Sequence, residues 1–338
     1  MASRPSVVIV GGGIGGLFAA NALIAQGLRV AVYEQAQALG EIGAGVFLTP
    51  NAVRHLERVG FGPAVEKWGA RVGSGSRYFR HDGIPIAPVQ VTDATGWNAT
   101  FGMHRADFVA FLAGNLPAGI VHTGHRAVGF EQDDHRARVD FANGVTVEAD
   151  VVVAADGIHS ALRPHVFPPS DPVFHGTISY RGLVPRERLP NWPMDRWQMW
   201  AGPSRHFLVF PVRHGTMVNY VGFVPTDEQM KESWSAPGDP ELLRGAFDGW
   251  DARVGEDGGE GHAVLDRLVR ALAEVGQHRM RRVPEQGETA LGPGRERLAV
   301  VECPTECLVD LFQHLRDARI PAVEFTDRKS TRLNSSHG

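Results

Sequence analysis

The stretch Val7–Gln35, VVIVGGGIGGLFAANALIAQGLRVAVYEQ, decides the fold. It opens on an apolar run, Val7–Val10, rich in β-branched residues that favour a strand. Gly11, Gly13 and Gly16 follow in the spacing G-x-G-x-x-G, with Ile14 and Gly15 between them. Gly11 suits a tight turn out of the strand, Gly13 a close backbone approach to a pyrophosphate, and Gly16 close packing of the next helix. The helix predicted over Leu17–Ala25 would present free N–H groups and its positive dipole end at that turn. Gly27 is placed to cap the helix, and Leu28–Tyr33 returns to strand character. Glu34, 18 residues after Gly16, closes the second strand where a carboxylate can accept hydrogen bonds from a ribose, with Gln35 beside it. Strand, glycine turn, helix, strand and acid together predict a βαβ dinucleotide unit.

The bulk composition sets the frame. A chain of 338 residues with 43% hydrophobic content supports a large core and about two domains. A net charge of −4 carries no nucleic-acid footprint. The longest apolar runs, Val7–Val10 and Val151–Ala155, are too short to span a bilayer, and no signal-peptide pattern precedes the first strand. A cytoplasmic location is therefore expected, with no membrane partner. Cys303 and Cys307 form neither a zinc pattern nor a disulfide framework, and the 15 histidines show no metal-ligand spacing, so no metal is expected.

Three further segments bear on which nucleotide is bound. Glu41–Ala52, EIGAGVFLTPNA, is glycine-rich where an NAD domain would continue into helix and strand. His104-Arg105-Ala106-Asp107 opens a helical pattern, Phe108–Leu116, with an arginine at its entry. Ala154–Arg163, AADGIHSALR, sets Asp156 and Gly157 at a strand end, where ligands bind in open α/β sheets.

These residues resemble the single-component FAD-dependent aromatic hydroxylases of the salicylate hydroxylase and 3-hydroxybenzoate 6-hydroxylase type. The resemblance runs over roughly residues 5–255. The family's D-G-x-x-S-x-x-R segment is matched by Asp156, Gly157, Ser160 and Arg163. Its FAD-contacting arginine matches Arg105, and its flavin-side loop matches Gly43–Val46, with Gly45 and Val46 as backbone contacts. Val128 is a further cofactor contact on this reading. Ile178–Pro185 resembles the strand that opens the substrate domain, and Trp200–Pro211 the strand pair beside the substrate.

The resemblance implies an α/β fold: a Rossmann-like FAD-binding domain of the glutathione-reductase-like kind, with a mainly β substrate domain inserted. Residues 1–70 and 98–172 would bind FAD, with a meander over Arg126–Gln132 and Arg136–Phe141 turning at Asn143-Gly144. Residues 71–97 and 173–255 would form the substrate domain. The implied reaction takes a small aromatic substrate, O2 and NAD(P)H as co-substrate, and hydroxylates a phenolic acid through a flavin hydroperoxide. No second dinucleotide fingerprint is present, in keeping with transient NAD(P)H binding. His206 is the candidate base, since imidazole titrates near neutrality at about 6.5. Phe210, Trp200 and Tyr180 are expected to line the substrate pocket. The family often carries a tyrosine at the position of Phe210. Phenylalanine cannot hydrogen-bond a substrate, which weakens a 3-hydroxybenzoate-type assignment more than a general phenol one.

The C-terminal third departs from the pattern. The family's second FAD motif, close to G-D-A-A-H, is missing, and Gly238-Asp239 runs straight into Pro240. Each charge-assisted hydrogen bond lost with it would cost about 1.5–3 kcal/mol. Glu256–Gly261, EDGGEG, reads as a linker, Ala263–Val275 as an amphipathic helix, and Leu298–Glu302, Glu306–Ala318 and Ala322–Phe325 as a βαβ-like piece. The final Arg328–Gly338, RKSTRLNSSHG, reads as translated adapter sequence. Residues 256–338 are therefore left unassigned, read first as a non-native tail on a truncated, frameshifted or chimeric chain, with a genuine divergent C-terminal domain as the weaker alternative. Two alternatives stand beside the hydroxylase: a non-catalytic flavin-binding fragment, and an NAD-dependent dehydrogenase on the same fold.

Overall fold

The computed structural model describes residues 4–40, 44–168, 172–189, 192–226, 240–251, 279–284 and 298–300. Its nucleotide-binding part is a five-stranded parallel sheet in the order Leu298–Val300, Val151–Ala154, Ser6–Val10, Arg29–Tyr33, Val121–His122. Val7 and Ile9 face the helices Ile14–Ala25 and Arg105–Gly114, packing with Leu17, Leu23, Phe108 and Leu112. Val8 and Val10 point the other way, onto Phe130, Val139 and Phe141 of a three-stranded antiparallel meander. Both faces are covered, and that is why this strand reads as an unbroken apolar run. The meander strands are Ala127–Gln132, Ala137–Phe141 and Thr146–Ala149, turning at Gly144 with φ +84°. This matches the expected pattern.

The helix Ile14–Ala25 is apolar nearly all round. Its one buried polar side chain, Asn21, donates to the carbonyls of Leu17 and Leu112, both at 2.8 Å, tying it to the helix Arg105–Gly114. Gly27 ends it at φ +80°, and the Leu28 N–H returns to the Leu23 carbonyl at 3.1 Å. The glycine C-cap read from sequence is thus present as a Schellman turn.

The second large element is a seven-stranded sheet in the order Arg279–Pro284, Phe174–Pro185, Met217–Pro225, Arg205–Val212, Gln198–Gly202, Arg77–Arg80, Pro85–Pro88. Side chains alternate between its faces. One face holds Phe79, Tyr180, Trp200, Phe207, Val209 and Tyr220 under Leu243 and Phe247 of the 240–251 segment. The other holds Leu183, Phe210 and Val212, packed with Trp197 and with Phe47 from the strand Gly45–Leu48. A small sheet, Gly45–Leu48, Phe101–His104 and Ala70–Arg71, lies between the two large ones.

Two segments of residues 256–338 are described. Arg279–Pro284 pairs antiparallel with Phe174–Pro185, and Leu298–Val300 pairs parallel with Val151–Ala154. Two segments of residues 256–338 therefore extend the same sheets. The linker at Glu256–Gly261, the helix at Ala263–Val275, the two later segments at Glu306–Ala318 and Ala322–Phe325, and the adapter-like end lie outside the described residues. Among the described residues no helix is long and apolar enough to cross a membrane.

Candidate active site

The glycine turn divides its tasks by position. Gly11 takes φ +111°, and a Cβ there would come within 2.1 Å of the Ala155 carbonyl oxygen. A Cβ on Gly16 would sit 1.9 Å from the Gly11 oxygen, so only glycine lets the helix start against the strand end. A Cβ on Gly13 or Gly15 would meet nothing within 4 Å. Those two positions border open space. The helix begins at Ile14 without a side-chain cap, so its first N–H groups are left for a ligand and its dipole favours an anion. Glu34 stands across the turn, its Oε2 accepting the Gly12 N–H at 2.6 Å and its Oε1 the Ala36 N–H at 2.8 Å. The carboxylate keeps lone pairs for a ribose hydroxyl. Gln35 next to it is exposed. An open cradle, an uncapped helix start and a carboxylate on the second strand fit the pyrophosphate and ribose of FAD.

Asp156 sits one residue beyond the strand Val151–Ala154 and its neighbour Ala155. Its Oδ1 accepts the Ser160 hydroxyl at 2.6 Å, and its Oδ2 the Ala161 N–H at 2.8 Å. The Ser160 oxygen in turn accepts the Arg163 N–H at 3.0 Å, and Gly157 turns the chain at φ +80°. This is the physical content of the D-G-x-x-S-x-x-R spacing. The carboxylate folds its own loop and sets the backbone N–H of Asp156 against Gly11.

The strand Phe101–His104 carries Arg105 at its end, the first residue of the helix Arg105–Gly114. The Arg105 N–H donates to the Ala44 carbonyl at 2.8 Å, and Gly45 pairs with His104. Arg105 and the segment Ala44–Val46 are therefore held together by backbone bonds. Gly43 of that loop lies outside the described residues. A clamp that no sequence motif announces closes here. Arg213, at φ +50° on a hairpin of the seven-stranded sheet, grips Asp107 with two bonds of 2.7 and 2.8 Å. Asp107 also lies 2.9 Å from Nδ1 of buried His104. Partial burial pushes the Asp107 carboxyl up, but bonds from Arg213 and His104 win and hold it below the ordinary value. Val128 is exposed, on the meander strand Ala127–Gln132, away from the glycine turn's own contacts.

His206 lies on the strand Arg205–Val212, half-buried, with its ring stacked on Phe223 at 4.0 Å and 22°. Burial pushes its pKa below the usual histidine value, favouring the neutral ring that can accept a proton. Strand alternation puts His206, Leu208 and Phe210 on one face. That is the face packed on the small sheet, because a Cβ on Gly45 would meet the Phe210 ring at 2.7 Å and one on Gly102 would meet it at 2.7 Å. Phe210 is buried there against Phe47. Trp200 and Tyr180 lie on the other face. Trp200 is the ladder partner of Phe207, and both it and Tyr180 pack in the opposite-face core with Phe79 and Tyr220. They support the sheet from behind and share no face with His206. Asn219, opposite Phe210 in the ladder, was also missed; it accepts the Gly45 N–H at 2.6 Å. A polar residue inside an apolar strand, VNYV, was the available signal.

A family model described as FAD binding domain matches residues 4–260. The 3-amino-4-hydroxybenzoate 2-monooxygenase PtmB3 of Streptomyces platensis is 35% identical over 258 residues, 75% of this chain and 65% of that protein. A salicylate hydroxylase of Pseudomonas putida is 36% identical, over 72% of this chain and 61% of its own length. The chain thus spans somewhat under two thirds of these two relatives. Among solved structures, Klebsiella pneumoniae HpxO complexed with FAD and uric acid superposes with a TM-score of 0.71 at 25% identity, covering 88% of this chain and 72% of that one.

Proposed function

The chain belongs to the FAD binding domain family, and we propose that it is an FAD-dependent monooxygenase that hydroxylates a phenolic or aromatic acid with NAD(P)H and O2. The observation that carries this reading is His206, a histidine held toward its neutral form on the sheet face that meets the Gly45–Leu48 strand. FAD, when bound and reduced by NAD(P)H, would supply the oxygen activation. The chain's own residues do the rest. The turn Gly11, Gly13, Ile14, Gly15 and Gly16 receives the pyrophosphate, Glu34 and Gln35 the ribose side. Arg105, Gly45 and Val46 border the ring end, while the loop begun by Asp156 and Gly157 closes the turn and Val128 the far side. His206 takes the proton of the substrate hydroxyl on its imidazole nitrogen, which raises the electron density of the ring to be hydroxylated. Its stacking on Phe223 fixes the plane in which it does so. Phe210 offers an apolar wall and no hydrogen bond, which favours a substrate held by its own acid group and hydroxyl. Residues 1–70 and 98–172 form the cofactor part, and 71–97 with 173–255 the substrate part.

A second reading, flavin binding without turnover, is favoured by one observation. The strand Leu298–Val300 lies beside Val151–Ala154, yet its sequence continues as Val301–Thr305, VECPT, with no G-D-A-A-H. Both readings are tested by adding FAD to the chain and following NAD(P)H oxidation across a panel of salicylate- and hydroxybenzoate-type acids. Stimulated oxidation with a product 16 mass units heavier, the mass of one oxygen atom, supports the hydroxylase. Bound flavin with no stimulation by any acid supports the second reading.

A further inference from the structure

The sheet face that carries His206 also carries an arginine. In the ladder Arg181 pairs with Val221, Val221 with Leu208, and Leu208 with Met199. Leu208 is two positions from His206 on its own strand, so this whole row shares the His206 face. Leu183, two positions after Arg181, packs with Phe210 on the same side. Of all Asp, Glu, Lys and Arg in the strands Phe174–Pro185, Met217–Pro225, Arg205–Val212 and Gln198–Gly202, only Arg181 takes this face. It interrupts an otherwise uncharged run, Ile178–Pro185, ISYRGLVP. Burial then divides the face. Toward the small sheet, Leu183, Asn219 and Phe210 are buried. In the next two rows Arg181, Leu208, Met199, His206 and Phe223 are each only partly buried. The far side of the same strands, with Tyr180, Trp200, Phe207 and Tyr220, is buried throughout. The partly open rows form an apolar floor with an imidazole and a guanidinium at diagonal corners. With strands about 4.8 Å apart and a rise of about 3.4 Å per residue, the two Cα atoms stand about 12 Å apart. Side chains rising from both corners narrow that gap to the span of one hydroxybenzoate.

We propose, resting on the hydroxylase reading above, that Arg181 is a specificity-determining residue that binds the carboxylate of the aromatic acid. The ring lies on Leu208 and Met199, and the hydroxyl meets His206. A guanidinium suits this task because its forked N–H donors match the two oxygens of a carboxylate. It has five such donors, so the interaction that Arg181 already makes does not exhaust them. Phe210 gives the ring no hydrogen bond, and the acid group is then the substrate's strongest handle. The chain selects anionic aromatic acids over neutral phenols of the same shape.

The test compares each acid with its uncharged amide of the same shape: salicylate with salicylamide, and 3-hydroxybenzoate with 3-hydroxybenzamide. Each is titrated calorimetrically into the full chain incubated with FAD. Wild type should bind at least one acid about tenfold or more tighter than its amide, as a charge-assisted pair predicts. Arg181→Gln should weaken the acid until that ratio is about one, and leave the amide within about twofold. Arg181→Lys, which keeps the charge and loses the fork, should fall between the two. Damage to the sheet would weaken acid and amide together and keep the ratio. A ratio kept in Arg181→Gln therefore overturns the assignment, and so does a wild-type chain that binds acid and amide alike or binds neither. NAD(P)H oxidation on the same samples tests the hydroxylase separately. Acid binding that depends on Arg181, without stimulated oxidation in wild type, would overturn the hydroxylase reading and uphold the carboxylate contact. Should Arg181→Gln fail to fold by circular dichroism, Arg181→Lys decides, and an unchanged ratio there overturns the assignment.

Discussion

The glycine turn and the seven-stranded sheet put their candidate groups in place by different means. At the turn the working parts are backbone: N–H groups at the start of the helix Ile14–Ala25, and carbonyls that leave no room for a Cβ on Gly11 or Gly16. The spacing of Gly11, Gly13, Gly16 and Glu34 lies within about 30 residues of chain, and one distant group, the Ala155 carbonyl, closes on Gly11. On the sheet the working parts are side chains, and what each can do depends on which face it takes. Trp200 and His206 lie six positions apart on adjacent strands, yet the ladder pairs Trp200 with Phe207 and sends His206 to the other face. Sites made by backbone are written in local sequence. Sites made by side chains on a sheet are written in register.

The largest expected effect separates chemistry from cofactor binding. His206→Ala should lower kcat by about 10²–10⁴, or about 3–5 kcal/mol, with FAD affinity unchanged, as seen by steady-state rates and flavin titration. Loss of FAD in that variant would break the division of labour between the two regions. The pH profile sharpens it. Burial holds the folded imidazole below its ordinary value of about 6.5, so the neutral base persists to lower pH. The acid limb of kcat should therefore fall below that value, and a limb midpoint above it would remove His206 as the base. The sign for stability is the same. The contribution of a neutral buried His206 is fully present above about 6.5 and is lost as pH falls through the lower folded value.

Next come the glycines. Gly16→Val drives a side chain into the Gly11 carbonyl and should cost about 3 kcal/mol in urea unfolding. Gly13→Ala should leave stability within about 1 kcal/mol, since its Cβ meets no protein atom, while weakening FAD by filling the approach to the phosphates. If both changes acted alike, the backbone-cradle account would fail. Asp156→Ala should cost about 2 kcal/mol by removing the bonds to Ser160 and Ala161, and should open the 156–163 loop to proteolysis. The smallest functional effect is expected from Trp200→Phe. It should lower stability by about 1–2 kcal/mol and leave KM for the aromatic acid within about twofold, because Trp200 stacks on Phe79 behind the sheet. A large KM change would return Trp200 to the pocket.

What the sequence made legible follows the same line. The G-x-G-x-x-G turn, Glu34, the Gly27 cap, the Asn143-Gly144 meander and the loop of Asp156 all rest on bonds between near neighbours. The faces of Trp200 and Tyr180, the Asn219–Gly45 bond and the Asp107–Arg213 clamp join residues up to 174 positions apart. No periodicity announces them. The fading of the family pattern left residues 256–338 unassigned, and the pairing of Arg279–Pro284 and Leu298–Val300 with existing strands is long-range. A short strand needs only an open edge to pair with, and the edges beside Phe174–Pro185 and Val151–Ala154 offered it.

The most direct measurement is the visible absorption spectrum of the 338-residue chain after incubation with excess FAD and desalting. The account predicts a retained flavin band, with FAD released on denaturation, because the open turn, the uncapped helix and Glu34 are all in place. A folded protein that emerges colourless would contradict it.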